Sequence, residues 1–260
     1  MNPYLIELKR YKRKVLVTQI IVFVSFILIW EVLSKFGFIN EFLFSSPSKI
    51  GRLLVKYLQT NEIHKHVLIS LLETIVGLLI GTIGGICIGI ILWWFPFVSK
   101  VFDPFLVVLN ALPKTALAPI LIIWAGTGVF GIIVVALSIS LILTVISSYN
   151  YFISVDEEQI LMMKSFNASK MQILMKLIIP INIPNLINLI KINIGMTWVG
   201  VIVGEFLVSR RGIGYLIMYG SQVFRMDLVM MGVIILAIIA FLMYEIINLF
   251  EKKIRKNRGM

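Results

Sequence analysis

The chain has 260 residues, of which 59% are apolar and only 14% charged, and its mean hydropathy is +0.99. That balance excludes a soluble globular domain and defines an all-α integral membrane protein with room for about six helices of ~20 residues. The net charge of +11 does not indicate a nucleic-acid partner, because ten of the 24 Lys and Arg lie in two tails, KRYKRK at 9–14 and KKIRKNR at 252–258. These read as cytoplasmic anchors beside anionic lipid. The single cysteine, Cys87, lies in an apolar run, which leaves neither a disulfide framework nor a thiolate metal site.

After the basic tail at 1–14, a first span is predicted over 15–33, ending near Trp30 and Glu31 at an interface. A basic start before an apolar run also describes a secretion signal, but this run is too long and no small-residue cleavage site follows; it reads as a retained helix. Residues 34–66 form an extracytoplasmic segment. Within it Ser46-Pro47 supplies an N-cap and a first-turn proline, and Ile50, Leu53, Leu54, Tyr57 and Leu58 oppose Lys49, Arg52 and Lys56. The spacing predicts an amphipathic helix lying on the headgroups. His64-Lys65-His66 has no further ligands nearby and reads as a solvated loop rather than a metal site.

A five-helix core is predicted over 67–250. Its first helix, about 67–95, carries Gly77, Gly81, Gly85 and Gly89, a ladder of side-chain-free positions that lets two helices approach closely in lipid. Trp93 and Trp94 mark its exit at an interface, and Glu73 is either a paired polar group near the outer end or part of a pathway, with structural pairing favoured. The next span, about 101–124, is interrupted by Pro113 and Pro119 around Lys114, with Asn110 one turn before. Irregular backbone at membrane depth is tolerated only against protein or a water-filled cavity. Asn110 and Lys114 therefore belong either to a pathway or to a kinked structural helix whose lysine snorkels to an interface.

Gly126-Thr127-Gly128 turns the chain into a charge-free span at about 129–151. In the following span, about 181–208, Lys191, Gly195, Trp198 and Glu205 recur on one helical face. Lys191 and Glu205 lie ~21 Å apart along it and cannot pair directly. Each needs a partner on another helix or water in a cavity. The face reads as a pathway or gate, with a local contact from Glu205 to Arg210 or Arg211 as the alternative. Gly212-Ile213-Gly214-Tyr215 predicts a tight re-entry turn before the last span, about 228–250, and the basic tail at 251–260.

Between the fourth and fifth spans, residues 156–180 form a polar island with full helix punctuation. Asp156 before Gln159 caps a first helix, and Ser169 with Gln172 makes a capping box for a second. Asn167 between them tolerates the left-handed conformation that ends a helix, and Pro180 stops the second helix or kinks it. A compact hairpin of two short helices is predicted, with Met162, Met163, Met171 and Met175 as a soft surface for a partner's groove. Six spans and basic tails put both termini and this hairpin in the cytoplasm; 14 Lys and Arg then lie inside and eight outside. The chain holds no phosphate-binding loop, zinc-ligand helix or nucleophile elbow. Its intramembrane charges are too scattered for an acid–base set. It reads as a passive pathway driven by an external motor, not an enzyme.

Residues across 46–220 resemble the permease subunit of ABC importers, in the branch that serves nitrate, sulfonates and taurine. That family's cytoplasmic signature reads E-A-A, three residues, G, nine residues, I-x-L-P. Here the frame falls on Leu161-Met162-Met163, Asn167 and Leu177-Ile178-Ile179-Pro180, with Ala168-Ser169 after the turn. The spacing is kept while the residues depart: Leu for Glu, two Met for Ala-Ala, Asn for Gly. Further matches are Ser46-Pro47-Ser48, Ser70-Leu71-Leu72, the glycine ladder, Pro113-Lys114-x-Ala116 with Pro119, and Gly126-x-Gly128. Lys191, Gly195, Trp198, Glu205 and Gly212-Ile213-Gly214-Tyr215-Leu216-Ile217 complete them.

The resemblance implies the type I ABC importer permease fold in a prokaryotic cell membrane, surrounded by lipid, with two copies forming the pore as a homodimer. It implies cytoplasmic ATPases gripping the hairpin at Leu161, Met162, Met163, Phe166, Asn167, Ala168, Ser169 and Met171. An extracytoplasmic binding protein would deliver a small, anionic solute to a pathway carrying Asn110, Lys114, Lys191, Trp198 and Glu205. ATP and Mg would be bound by the partner ATPase, and this chain would bind no cofactor or metal. Relatives in the branch also carry thiamine precursors and riboflavin-like compounds, so those solutes stay open. Two rivals remain: the transmembrane subunit of an energy-coupling vitamin transporter, whose paired basic-alanine motifs are not apparent, and a membrane-embedded enzyme or channel, the channel being marked by transport without ATP.

Overall fold

The structure, a computed structural model, describes residues 3–257 and is helical, with no strand among the described residues. Five helices are long and apolar enough to cross a membrane: Arg10–Lys35, Glu62–Trp94, Val129–Ile153, Lys170–Val208 and Met226–Ile254. A bent pair, Pro96–Ala111 with Lys114–Ala125, makes a sixth if taken as one span. The chain divides into two compact units, one of residues up to Ile63 with Ile217–Val233, the other of His64–Leu216 with Ile234 onward.

In the first unit, α1 (Pro3–Lys35) is followed by α2 (Glu41–Phe44) and α3 (Pro47–Gln59). The N-cap of α3 is the one anticipated: Ser46 Oγ accepts from the Lys49 amide at 3.4 Å, with Pro47 in the first turn. Its apolar face does more than lie on headgroups. Ile50 and Leu53 are buried, and the Ser48 amide donates to Glu31 of α1 at 3.0 Å.

The second unit is built around α7 (Val129–Ile153), which packs against α4 (Glu62–Trp94) and α10 (Ile179–Val208). The glycine ladder of α4 has a matching ladder on α7. Gly77, Gly81, Gly85 and Gly89 face Ala136, Ser140, Thr144 and Ser148 in turn, each step four residues on both helices. α10 packs on the same pair: Gly200 lies against the Ala136 backbone, Gly204 against Ile132, and Thr197 against Gly77 of α4. Lipid supplies no hydrophobic drive for such association, so close packing and interhelical hydrogen bonds must hold the helices. Asn193 of α10 donates to Thr144 of α7 at 2.7 Å and to Thr82 of α4 at 3.0 Å. One buried amide thus joins all three helices.

The interruption expected in the span at about 101–124 is a full break at Pro113, between α5 (Pro96–Ala111) and α6 (Lys114–Ala125), which lie at 100° to each other; two other expectations are corrected and one is narrowed. Leu112, preceding Pro113, is extended at φ −64°, ψ 135°, the conformation that a following proline ring favours. Pro119 does not interrupt: it stays inside α6, where its missing N–H leaves only the exposed Thr115 carbonyl without its helical donor. Of the two outcomes expected at Pro180, a stop or a kink, the stop does not occur. α9 (Lys170–Ile173) passes through a π turn, Leu174–Ile178, into α10, with the Ile179 amide donating to Leu174. The wider turn leaves room for the ring and shifts the ladder before the donor is lost. Finally, His64-Lys65-His66 is part of α4 rather than a solvated loop.

Candidate functional site

The hairpin is assembled locally. α8 (Glu157–Ser165) starts at Asp156, whose carboxylate accepts from the Glu158 amide at 3.0 Å rather than serving a box with Gln159. It ends in a paired six-to-one and five-to-two closure: the Ala168 amide donates to Met163 at 3.1 Å and the Asn167 amide to Lys164 at 2.8 Å. Asn167 sits at φ 55°, the left-handed conformation for which asparagine is suited. Ser169 and Gln172 then form a reciprocal capping box at 3.3 and 2.8 Å.

These turns sort the eight hairpin candidates. Leu161, Met162, Phe166 and Met171 are exposed, Phe166 by 79%. Met163 and Ala168 pack inward on a cluster of Phe152, Val155, Ile173, Leu174 and Ile178. Asn167 and Ser169 set the turn and the cap. The outward set, joined by the exposed Met175, is an apolar surface on a rigid base. Large exposed apolar groups of this kind mark an interaction site.

At the far end of α10, Glu205 is buried, as are its neighbours Ser70 and Glu73 on α4. Its carboxylate accepts from Ser70 Oγ at 2.5 Å and from the Gly214 amide at 2.5 Å. Ser70 Oγ in turn accepts from the Ile213 amide at 2.8 Å, and His66 Nδ1 accepts from the Gly212 amide at 3.0 Å. The chain after α10, running into α11 (Ile213–Gln222), is therefore wrapped around one carboxylate. Gly212, at φ 122°, could not carry a Cβ, which would fall on the Glu205 carboxyl; one on Gly214 would lie 2.8 Å from Glu205 Oε2. The contact to Arg210 or Arg211 is not made. Both arginines instead line an open cavity of about 550 Å³ with Glu73, Ile69, Thr127 and Ser209. Glu73 faces the Glu205 carboxyl rather than a base, and neither acid forms an ion pair among the described residues.

The other pathway candidates go to separate places. Lys191 pairs with Glu251 of α12 (Met226–Asn257), donates to Asn248 at 3.2 Å and lies 5.2 Å from the Tyr244 ring centre. Gly195 faces open space and Trp198 is buried, its indole N–H without an acceptor among the described residues. The four residues do share one face of the uninterrupted helix α10, but that face is not one open lining, since Trp198 and Glu205 are buried; Asn193, Thr197, Gly200 and Gly204 are buried on the opposite face. Lys114 reaches back across the bend to Asn110, donating to its carbonyl at 3.0 Å and its side chain at 3.4 Å. Sequence reasoning missed Ser70, His66 and Asn193. The small residues spaced by four on α7 were a readable signal; the reach of His66 to a turn 146 positions away was not.

An apolar helical bundle that carries an exposed apolar hairpin on a packed base is the build of a multi-pass membrane protein. Residues 81–256 match the binding-protein-dependent transport system inner membrane component family, and the chain belongs to it. It is a multi-pass permease subunit of an ABC importer, and membership implies an ATPase and a solute-binding protein as partners. A probable ABC transporter permease of Haemophilus influenzae is 27% identical, covering 84% of this chain and 88% of that protein. A putative aliphatic sulfonates transport permease of Bacillus subtilis is 28% identical over 90% of this chain and 84% of its own length. The taurine transport permease of Escherichia coli is 27% identical over 69% and 65%. Among solved structures, the inward-facing MetNI methionine ABC transporter superposes with a TM-score of 0.63 over 74% of this chain and 94% of that one, at 16% identity. The fold is that of a type I importer permease.

Proposed function

We propose that two copies of this chain form the pore of an importer for small organic anions of the sulfonate class. The names of the Bacillus subtilis and Escherichia coli relatives, which refer to aliphatic sulfonates and taurine, support that solute class. Basic tails favour cytoplasmic termini, and with them a cytoplasmic hairpin. A solute-binding protein delivers the anion on the opposite side. ATP and Mg²⁺ belong to the ATPase pair, whose closure is transmitted through Leu161, Met162, Phe166 and Met171.

The observation that carries this reading is the sorting of the hairpin: its turn and caps are closed internally, and its remaining apolar side chains face outward. Of the pathway candidates, the half-exposed Lys114 with Asn110 at the α5–α6 bend suits contact with an anion. Lys191, Trp198 and Glu205 act through the helices and turn they hold.

The test is co-expression with the cognate ATPase, followed by uptake in proteoliposomes supplied with the binding protein. The intact chain and Asn167→Gly should capture the ATPase, because either residue adopts φ 55°. Asn167→Val should lose most capture, since a β-branched residue there costs roughly 1–2 kcal/mol. Taurine or ethanesulfonate uptake should require ATP. Uptake of riboflavin or a thiamine precursor instead would overturn the solute class, and flux without ATP would overturn the motor-driven reading.

A further inference from the structure

We infer that Lys170 is a positioning residue that makes the hairpin and α4 move as one body. The inference rests on the coupling role proposed above. Lys170 stands in the first turn of the continuous helical run Lys170–Val208, the end at which a helix dipole disfavours a cation. Its side chain is held elsewhere. Nζ donates to the carbonyl of Trp94 at 2.5 Å and lies 5.6 and 5.3 Å from the ring centres of Trp93 and Trp94.

Trp94 is the last residue of α4, so its carbonyl is one of those the helix cannot satisfy, at the negative end of the dipole. Lys170 is thus a C-cap supplied from another helix, reinforced by two aromatic faces that attract a cation. Both tryptophans also pack on the apolar cluster beneath the hairpin.

A mechanical consequence follows from what comes next in the chain. The π turn Leu174–Ile178 begins four residues after Lys170, and an irregular turn inside a helix is a natural hinge. Without a tie, force on the exposed methionines would pivot the hairpin about this turn and leave the spans behind. The Lys170 contact lies on the hairpin side of the turn and anchors it to the end of α4. Displacement of the hairpin then carries α4, and through the glycine ladder α7.

The experiment measures a distance in the permease–ATPase complex, with spin labels on native Cys87 of α4 and on Ser165→Cys in the hairpin. Lys170→Met keeps the apolar stem and removes the charge; Lys170→Arg keeps the cation and the donor. All three forms should capture the ATPase. The parent should show one narrow distance, the same with and without ATP. Lys170→Met should lose that constancy, broadening or shifting when ATP is added, and Lys170→Arg should restore it. A Lys170→Met distance as narrow and constant as the parent's would overturn the inference, as would failure of Lys170→Arg to restore it. Capture lost in Lys170→Met alone would make Lys170 a contact for the ATPase and also overturn it. A parent chain that captures no ATPase would overturn the coupling reading itself.

Discussion

Gly84 and Gly85 are adjacent in sequence, yet alanine should be harmless at one and damaging at the other. A Cβ on Gly84 meets only Leu141 Cδ1 at 3.7 Å, an ordinary contact. Gly84→Ala should therefore be neutral, or stabilising by up to ~0.5–1 kcal/mol through reduced backbone entropy. A Cβ on Gly85 falls 2.5 Å from Thr144 Cβ, 2.6 Å from its Cγ2 and 3.2 Å from the Leu141 carbonyl. Since carbon atoms rest at about 3.5–4.0 Å, α4 and α7 must part by roughly 1 Å. Thr144 cannot rotate away, because its Cβ is itself the obstacle. Overpacking of this kind costs about 1–3 kcal/mol, and parting the helices also strains the 2.7 Å bond from Asn193 to Thr144. Net of the entropy gain, Gly85→Ala should lose about 1–2 kcal/mol. Gly81→Ala supplies an internal check: its Cβ conflicts at 2.5 Å with Ser140 Oγ, and Ser140→Ala leaves only contacts of 3.4 and 3.5 Å. The double variant should regain what Gly81→Ala loses. The assay is unfolding in detergent followed by tryptophan fluorescence. Equal losses for Gly84→Ala and Gly85→Ala would refute the ladder as the basis of this packing.

Further outcomes can be measured independently. Glu205→Ala strands the Ser70 hydroxyl and the Gly214 amide, and should lose roughly 2–4 kcal/mol. Amide exchange at Ile213 and Gly214 should quicken while capture of the ATPase persists; slow exchange in the variant would show that Glu205 does not hold the turn. Lys191→Met leaves the Glu251 carboxylate without its cation and should cost about 3 kcal/mol, most of it regained on adding Glu251→Gln. No recovery in the double variant would count against the pair. In the first unit, the hydrogen bond from Lys49 holds the Glu41 carboxyl below its ordinary value of 4.5. Because the folded value is depressed, the contribution is present above pH 4.5 and fades as pH falls through the depressed value. Lys49→Met should raise the Glu41 midpoint in a carboxyl-carbon NMR titration, and an unmoved midpoint would discard the contact.

Helix-forming stretches, the Asn167 turn and the Ser169–Gln172 box were legible in the chain because they are local. Apolar length, cap chemistry and the tolerance of asparagine for φ 55° act within a few residues. The glycine ladder was legible for the same reason, although only as half of an interface. What the tertiary structure decided was the identity of partners. A lysine and a glutamate on one span announce that each needs company, but helices apolar on all sides carry no signal of which neighbour will supply it. Lys191 found Glu251, 60 positions away, and Glu205 found Ser70 and the turn behind Gly212. Pro113 and Pro180 are the same residue type with opposite effects. One bends its span by 100°; the other is absorbed by a π turn. The difference lies in the residue before each ring, extended at Leu112 and helical at Ile179, which proline's own preference does not specify.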